Sequence, residues 1–241
     1  AKAGIYKDIM YFNQSKIELE ENGFSIIENI FDDIELNKII QCINDKNFEF
    51  SERQLLNRFP KLQKNIFKND NFKKLFNSIC DENYFLSKAI YFNKPSKSNW
   101  FVGYHQDLSI SVKNRIKNKN YKSWTNKKGQ LGVIPPLSIL ENTITFRIHL
   151  DKTNETNGVL RVISNSHKKG IFRIDNNFIA SKEGKEIICN IDKGGVMLMK
   201  PLLLHSSQKS VSENDRRVLH LEFCNKDIPM EWLEKKQFTY D

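Results

Sequence analysis

The chain has 241 residues, a formal net charge of +9 and 39% hydrophobic residues, among them 17 phenylalanines that can build a core. This composition is typical of a globular protein and not of a disordered one, and no stretch approaches the roughly 18 consecutive apolar residues of a membrane helix. A chain of this length fits one domain, because all-β barrels and sandwiches often reach this size as a single unit. We therefore expect a single domain over residues 1–241.

The excess of basic residues is compatible with three classes of partner: nucleic acid, an anionic membrane or an anionic small molecule. We expect most of the lysines to lie on a solvated surface. The four cysteines, Cys42, Cys80, Cys189 and Cys224, are widely spaced and form no C-x-x-C pair. This spacing argues against a zinc knuckle or a disulfide scaffold and favours reduced thiols in the cytoplasm. The sequence carries no signal for an oligomeric state.

The first third of the chain is predicted to be largely helical. Gly23 to Ile27 predicts a short strand, and Asp32 or Asp33 can cap a following helix whose apolar residues fall on one face. A second helix is predicted near Asn71 to Cys80, where phenylalanine, leucine and isoleucine recur at helical spacing. Together these elements predict a helical support over about residues 5–82.

Beyond residue 84 the pattern changes to short strands separated by turn signals. The predicted strands are Tyr84–Phe92, Thr143–Leu150, Val159–Ile163, Ile187–Ile191, Val196–Met199, Leu202–His205 and Arg217–Phe223. Helices followed by many short strands favour a mainly β fold with flanking helices, such as a jelly roll. Its core is expected to extend over about residues 84–225.

The segment from Lys113 to Lys128 contains seven basic residues and no acidic residue, and Tyr121 and Trp124 interrupt it. It lies between two strand regions and lacks strong periodicity, which predicts a long loop. A long loop inside a compact domain is usually a functional lid or a disordered insertion. We therefore treat residues 113–128 as a candidate lid whose charge would favour an anionic ligand, with a solvated surface loop as the alternative.

Three side chains form a candidate metal site. His105 and Asp107 are two residues apart, so in an extended chain they point to the same face and can both reach one ion. His205, which ends the apolar run from Val196, is the best candidate for a third ligand. Two imidazoles and one carboxylate occupy one face of an octahedron and leave three positions open, as non-haem Fe(II) oxygenases require.

Arginines follow the last of these candidate ligands. Arg216 lies eleven residues after His205, and Arg217 is next to it. A guanidinium can hold the far carboxylate of 2-oxoglutarate with a two-pronged ion pair that lysine cannot reproduce. Upstream, Arg147 and His149 share one face of a predicted strand. They are placed either to meet the co-substrate or an anionic substrate, or to form an outward salt-bridged pair.

Four stretches of the sequence resemble one known family. They are Tyr104–Asp107, Asn157–His167, Gly194–Ser207 and Arg216–His220. On these motifs, and over roughly residues 20–225, the chain resembles the phytanoyl-CoA dioxygenase family of Fe(II)/2-oxoglutarate-dependent oxygenases. The resemblance implies a double-stranded β-helix in which His105, Asp107 and His205 are the catalytic metal ligands. It also implies that Arg216, with Ser207 beside it, binds 2-oxoglutarate, and that Arg217 replaces it if the turn shifts register.

The resemblance further implies the reaction. A small-molecule substrate would be hydroxylated by O2 while 2-oxoglutarate is converted to succinate and CO2. Asp107 favours hydroxylation over halogenation, because related halogenases have a small residue at the carboxylate position. Desaturation and ring closure remain open. Two other functions are kept as alternatives: a cupin-type metal oxygenase that does not use 2-oxoglutarate, and, less favoured, a basic module that binds single-stranded nucleic acid.

Overall fold

The computed structural model describes residues 2–43, 51–94, 101–127, 129–211, 214 and 216–237, and of residues 2–11 the backbone alone. The described helices are α1 (Lys2–Asn22), α2 (Asp33–Ile43), α3 (Leu55–Arg58), α4 (Pro60–Phe67), α5 (Asp70–Ile79) and α6 (Leu137–Glu141). The described strands are β1 (Phe24–Ile27), β2 (Ser51–Arg53), β3 (Phe85–Lys94), β4 (Val102–His105), β5 (Ile110–Val112), β6 (Lys122–Lys127), β7 (Gln130–Ile134), β8 (Thr143–His149), β9 (Leu160–Ile163), β10 (Glu186–Ile188), β11 (Val196–Met199), β12 (His205–Ser207), β13 (Arg216–Cys224) and β14 (Lys236–Gln237).

Seven strands form the larger sheet, in the order β1-β11-β8-β13-β3-β14, with β2 paired to β3 as well. Side chains along a strand alternate between its two faces. On one face the central strands present apolar residues such as Phe146 and Phe223, which pack against helices α1 to α5 and form the main core. The polar residues of the same strands are therefore confined to the opposite face, called the inner face below.

Local sequence signals begin the helices that cover the core. Asp32 Oδ1 accepts a hydrogen bond from the Glu35 backbone N–H, and the Glu35 carboxylate accepts one from the Asp32 backbone N–H, which is a capping box at the start of α2. Of the two predicted caps, Asp32 is the one that acts. Asn69 caps α5 by accepting from the Phe72 backbone N–H at 2.6 Å.

Two smaller sheets lie against the larger one. The four-stranded sheet β10-β9-β12-β4 packs on β1 and β11 through an apolar cluster that includes Val162, Met197 and Met199. The three-stranded sheet β5-β7-β6 packs near the start of β3 and the end of β13 through a cluster that includes Phe85 and Trp232. All the strand pairings described are antiparallel. The predicted mainly β fold with flanking helices is confirmed, as a double-stranded β-helix.

One predicted strand is displaced along the chain. We expected a strand at Leu202–His205, whereas β12 begins at His205. Pro201 follows β11 after one residue and has no backbone N–H to donate to a sheet. The backbone N–H of Leu203 bonds the Lys200 carbonyl at 3.1 Å instead and closes a turn. The predicted strand position was therefore wrong, and the turn sets where β12 starts.

The predicted basic loop at residues 113–128 is partly a strand. Residues 113–121 are irregular, but the next six form β6, which pairs with β7 in a hairpin that closes at Gly129 (φ +80°). Lys128 lies outside the described residues. Most side chains of β6 are exposed, so hairpin pairing holds this strand, and hydrophobic periodicity gives no sign of it. None of the described helices combines the length and apolar composition that a membrane span needs.

The aromatic core predicts the effect of Phe72→Ala on stability. Phe72 is fully buried, and its ring centroid lies 5.7 Å from that of Phe146 on the larger sheet. We expect the substitution to leave a cavity and to lower the free energy of unfolding by about 3–5 kcal/mol, measured by urea denaturation. The control Ile34→Ala, at an isoleucine that is 67% exposed on α2, should change it by less than about 0.5 kcal/mol. Similar losses in both variants would contradict this location of the core.

Candidate metal centre

Strands β4 and β12 bring two histidines together. β4 ends at His105, β12 begins at His205, and the two residues are register partners in the antiparallel pair. Register partners on adjacent strands project from the same face, and their ring centroids lie 4.2 Å apart. Asp107 follows two residues later, and its backbone N–H donates to the Pro201 carbonyl at 2.9 Å. That bond fixes the loop that carries the carboxylate.

The three predicted ligands converge. One donor atom from each of His105, Asp107 and His205 lies within 4.8 Å of the other two, and His205 Nε2 is 3.7 Å from Asp107 Oδ2. A spacing of this size is what one divalent ion can bridge with small side-chain movements. The donor set of two imidazoles and a carboxylate fits Fe(II), because it leaves one side of the ion free for other ligands.

Backbone carbonyls select the nitrogen that each imidazole presents. His105 Nδ1 lies 2.9 Å from the Gly103 carbonyl, and His205 Nδ1 lies 2.9 Å from the Leu203 carbonyl. A carbonyl oxygen only accepts hydrogen bonds, so Nδ1 carries the proton and donates. The Nε2 lone pair of a neutral ring is then free for a metal, and the Nδ1 bond holds the ring in orientation.

Burial and neighbouring charges give two of these groups the protonation states that bind metals. Burial lowers the pKa of His205 to about 4, against the opposing effect of the Asp107 carboxylate, so the imidazole is neutral near pH 7. Burial would raise the pKa of Asp107, but the imidazoles of His205, His220 and His105 outweigh it and hold that pKa well below its usual range. A divalent cation binds a neutral imidazole and an ionised carboxylate.

The inner face of the larger sheet carries a layer of buried ionisable side chains. They alternate with core residues along β3, β8 and β13, and they are Lys88, Lys94, Arg147, His149, Arg216, His220 and Glu222. Buried charged groups are costly unless they are paired or bind a ligand. This layer is therefore the part of the sheet most suited to binding charged molecules.

The two arginines at the start of β13 have different environments. Arg217 is bound to Asp151 through two side-chain hydrogen bonds of 2.7 and 2.8 Å. Arg216 faces the opposite side and is buried, and its Nε and Nη1 have no hydrogen-bond partner among the described residues. Burial, and then the charge of Arg147, lower the pKa of Arg216 to about 9, so it stays charged near neutral pH. A buried guanidinium with unpaired N–H groups is suited to an anion.

Lys94 connects the two residues predicted to bind the co-substrate. It is the register partner of Arg216 on the adjacent strand β3, and its Nζ lies 3.3 Å from Ser207 Oγ. Burial, and then the charge of Arg216, lower the pKa of Lys94 to about 8. Its Nζ also donates to the Gln208 carbonyl. Arg216, Lys94 and Ser207 thus border one region, and Lys94 was not predicted.

A chain of hydrogen bonds crosses the inner face beside the metal site. Arg147 Nη1 donates to His220 Nδ1 at 2.9 Å, and since arginine only donates, the His220 proton lies on Nε2. His220 Nε2 donates to Glu222 Oε1 at 3.0 Å, and Glu222 forms an ion pair with Lys88 Nζ at 2.8 Å. Lys88 also donates to the Ser109 carbonyl at 2.7 Å. These bonds hold Arg147 in place, while its Nε has no hydrogen-bond partner in the part of the chain that the structure describes.

Of the two arrangements considered for Arg147 and His149, the outward salt-bridged pair is wrong. Both side chains are buried on the inner face. His149 Nδ1 bonds Thr153 Oγ1 at 2.8 Å, and its Nε2 has no partner among the described residues. Burial, and then the charges of Arg147 and Arg216, lower the pKa of His149 well below its usual range, so this imidazole is neutral.

A cavity of about 360 Å³ opens next to Asp107. One wall is the inner face of β3 and β13, where Lys88, His220 and Glu222 reach it. The other wall is the three-stranded sheet β5-β7-β6. Of the three candidate metal ligands, Asp107 lines the cavity, so a small molecule bound there lies beside the candidate metal site.

Lys88, Lys94 and Glu222 were not predicted to be site residues. Inside the last predicted strand, His220 is expected to be a packed or hydrogen-bonded core residue, and the structure confirms this. A signal for this layer was present. In β13 the ionisable residues Arg216, His220 and Glu222 are separated by even numbers of positions, so they fall on one face of the strand. A strand that is apolar on one face and carries ionisable residues on the other predicts a polar interior. His167, which ends the motif Asn157–His167, is expected to have a structural role in bonding a loop backbone, and its Nε2 lies 3.1 Å from the Glu20 carbonyl of α1.

Several solved structures share this fold. EctD from S. alaskensis, with 2-oxoglutarate and 5-hydroxyectoine, has a TM-score of 0.66 and 13% identity over 88% of this chain and 75% of that chain. EvdO2 from Micromonospora carbonacea var. aurantiaca, complexed with 2-oxoglutarate, has a TM-score of 0.63 and 12% identity over 93% and 94%. HygX from Streptomyces hygroscopicus, with iron bound, has a TM-score of 0.60 and 13% identity over 88% and 85%. No curated protein matches the sequence.

A double-stranded β-helix with a His-x-Asp pair and a distal histidine on adjacent strands defines the class of non-haem iron oxygenases. The sequence matches the family model of phytanoyl-CoA dioxygenase over residues 19–218. The chain belongs to the phytanoyl-CoA dioxygenase family. It is a 2-oxoglutarate-dependent dioxygenase with iron as its metal, as the sequence motifs implied.

Metal affinity tests the ligand set. His205→Ala and Asp107→Ala each remove one donor of three, and we expect each to weaken Co(II) binding by more than about 100-fold, measured by anaerobic isothermal titration calorimetry. The control His167→Ala removes a histidine that bonds α1 and lies outside the cluster, so Co(II) affinity should not change. Wild-type affinity in a folded His205→Ala or Asp107→Ala protein would contradict the ligand assignment.

Proposed function

We propose that the protein hydroxylates a small organic substrate in a reaction that requires Fe(II), 2-oxoglutarate and O2 and releases succinate and CO2. The observation that carries the proposal is the convergence of His105, Asp107 and His205, together with a buried guanidinium, Arg216, that lacks a counterion among the described residues. Arg216 is linked to the metal site through its register partner Lys94, whose Nζ lies 3.3 Å from the Oγ of Ser207 on the strand that begins with His205. A metal site alone fits many enzymes, whereas a metal site with such an arginine on the same inner face fits one whose co-substrate is a dicarboxylate.

His105, Asp107 and His205 would hold the iron, His105 and His205 through Nε2 and Asp107 through its carboxylate. When bound, iron with 2-oxoglutarate and O2 supplies the oxidising power that converts a substrate C–H into C–OH. The protein keeps the ligands oriented through the Gly103 and Leu203 carbonyls. Because a carboxylate stands at position 107, this site favours hydroxylation over halogenation.

Arg216 would bind the far carboxylate of 2-oxoglutarate, with Ser207 beside it. The unpaired Nε and Nη1 of Arg216 support this role, and the bonds of Arg217 to Asp151 argue against the alternative. Arg147 and His149 lie on the same inner face, and each has one nitrogen without a hydrogen-bond partner among the residues described. They are suited to further contacts with the bound anion or with the substrate.

The alternatives have less support from the described residues. A cupin-type oxygenase that does not use 2-oxoglutarate has no need of Arg216 as a buried, unpaired cation. A nucleic-acid-binding module would need Tyr121 and Trp124 free to stack on bases. Tyr121 is buried, and Trp124 packs against the same apolar cluster while the Arg115 guanidinium lies 5.2 Å from its ring. All four cysteines are free thiols, which supports a reducing compartment, and we propose the cytoplasm.

Succinate formation tests this function. Purified protein with Fe(II), ascorbate and 2-oxoglutarate should form succinate in air, and a screen of metabolites should find substrates that accelerate it. Removal of iron by a chelator should stop the reaction, and Fe(II) should restore it. An oxidation that proceeds at full rate without 2-oxoglutarate would favour the cupin-type alternative.

A paired comparison tests the co-substrate residue. Arg216→Gln removes a charge-assisted two-pronged contact, and we expect the KM for 2-oxoglutarate to rise by about 100-fold, which corresponds to roughly 3 kcal/mol. Arg217→Gln breaks the bond to Asp151 on the other face and should change this KM by less than about threefold. Both values come from initial rates of succinate release. The reverse order would assign the role to Arg217.

A further inference from the structure

The cavity beside Asp107 has a wall of hydroxyl groups. Ser109 and Ser111 reach it from the chain leading into β5 and from β5 itself, and Ser123 and Thr125 reach it from β6. Thr125 and Lys127 lie two residues apart in the regular part of β6 and point to the same face of the strand. Ser123 reaches the cavity from the irregular part of β6, where its φ is +54°. Such a wall offers hydrogen bonds to hydroxyl, amide or anionic groups of a ligand.

Gly132 of β7 keeps this wall open. A Cβ atom at position 132 would lie 2.7 Å from Thr125 Oγ1 and 2.8 Å from Ser109 Oγ. These distances are shorter than real Cβ contacts, so any side chain there would displace the two hydroxyl groups. The absence of a side chain at Gly132 lets the hydroxyls of β6 and of the β5 segment lie side by side.

Two free cations border the same cavity from opposite walls. Arg53 is on β2, where it is the register partner of Ile90 on β3, and both residues line the cavity. Lys127 is at the end of β6 in the three-stranded sheet. Both side chains are exposed and neither forms an ion pair with a described residue. By contrast, the buried Lys88 is neutralised by Glu222.

Lys127 is also the one basic residue of the described part of the segment 113–127 that lines the cavity. Lys113 is paired with Glu231 on the surface, and Arg115 lies over the Trp124 ring. The segment was expected to attract anions as a charged lid. Of its described basic residues, only Lys127 lies where it can contact a ligand in the cavity, on the wall opposite Arg53.

We infer that the substrate is a small hydrophilic molecule with one anionic group, a carboxylate or a phosphate, held between Arg53 and Lys127 while its hydroxyl or amide groups bond the hydroxyl wall. This inference rests on the proposed function and names the substrate class of the same site. Arg53 and Lys127 determine specificity; neither is a catalytic residue. A volume of about 360 Å³ lies near the lower end of the range of about 300–1,000 Å³ for small-molecule sites. The lining also includes apolar residues such as Ile90, Phe92 and Leu131, against which the carbon skeleton of such a molecule can pack.

Anion titrations test the inference directly. The protein is loaded with Co(II) and saturating 2-oxoglutarate without oxygen, so that Arg216 is occupied, and is titrated at low ionic strength with two probes, sulfate for a tetrahedral anion and acetate for a carboxylate. We expect one or both to bind the wild type. Arg53→Gln and Lys127→Gln should each weaken the binding by about fivefold, and the double variant should abolish it. The probe that binds more tightly identifies the anionic group.

The matched control is Lys119→Gln, which removes the same charge from an exposed lysine of the basic segment that does not line the cavity. It should change probe affinity by less than about 1.5-fold, because its charge is screened from the site. If Arg53→Gln, Lys127→Gln and Lys119→Gln weaken probe binding equally, the net charge of the protein alone attracts the anion, and the inference is overturned. No binding of either probe to a protein that still binds 2-oxoglutarate also overturns it and leaves the proposed function standing. Failure of the wild-type protein to bind 2-oxoglutarate would refute the proposed function itself.

Discussion

The candidate site depends on the antiparallel register between β4 and β12. His105 and His205 share a face because they are direct partners in this pair, and a shift by one residue would turn one imidazole to the opposite side of the sheet. β12 is only three residues long, so its own ladder is a weak constraint. Its register is reinforced from the preceding turn, where Ser166 Oγ accepts from the Leu204 backbone N–H at 2.9 Å.

The larger sheet divides two tasks between its faces. Its helix-covered face buries rings such as Phe146 and Phe223 and supplies most of the hydrophobic stabilisation. That stability lets the other face hold groups that oppose folding, among them the nitrogens of Arg147 and Arg216 that have no hydrogen-bond partner among the described residues. Burying guanidiniums that form no direct ion pair with a described residue is unfavourable. The binding of a dicarboxylate would offset this cost by bringing negative charge to the inner face.

The sequence allowed the fold class and the metal cluster to be predicted, because an H-x-D pair, a distal histidine and regular strand alternation are local patterns. It did not allow β6 to be predicted, since that strand is exposed and is held by pairing with β7. Lys88 and Lys94 were missed for another reason: in a single sequence a lysine in a strand is the same whether it faces solvent or the interior. Only the covering of the outer face by helices shows which way they point.

The bond between Arg217 and Asp151 has a consequence for its neighbour. Asp151 accepts from the Arg217 backbone N–H as well as from its side chain, and the Leu150 backbone N–H donates to the Arg217 carbonyl at 3.0 Å. Asp151 thus holds both the backbone and the guanidinium of Arg217 in place at the start of β13. The backbone bond does not depend on the Arg217 side chain, so Asp151 orders the chain next to Arg216 whichever residue stands at position 217, and loss of this partly buried carboxylate would be felt on the inner face.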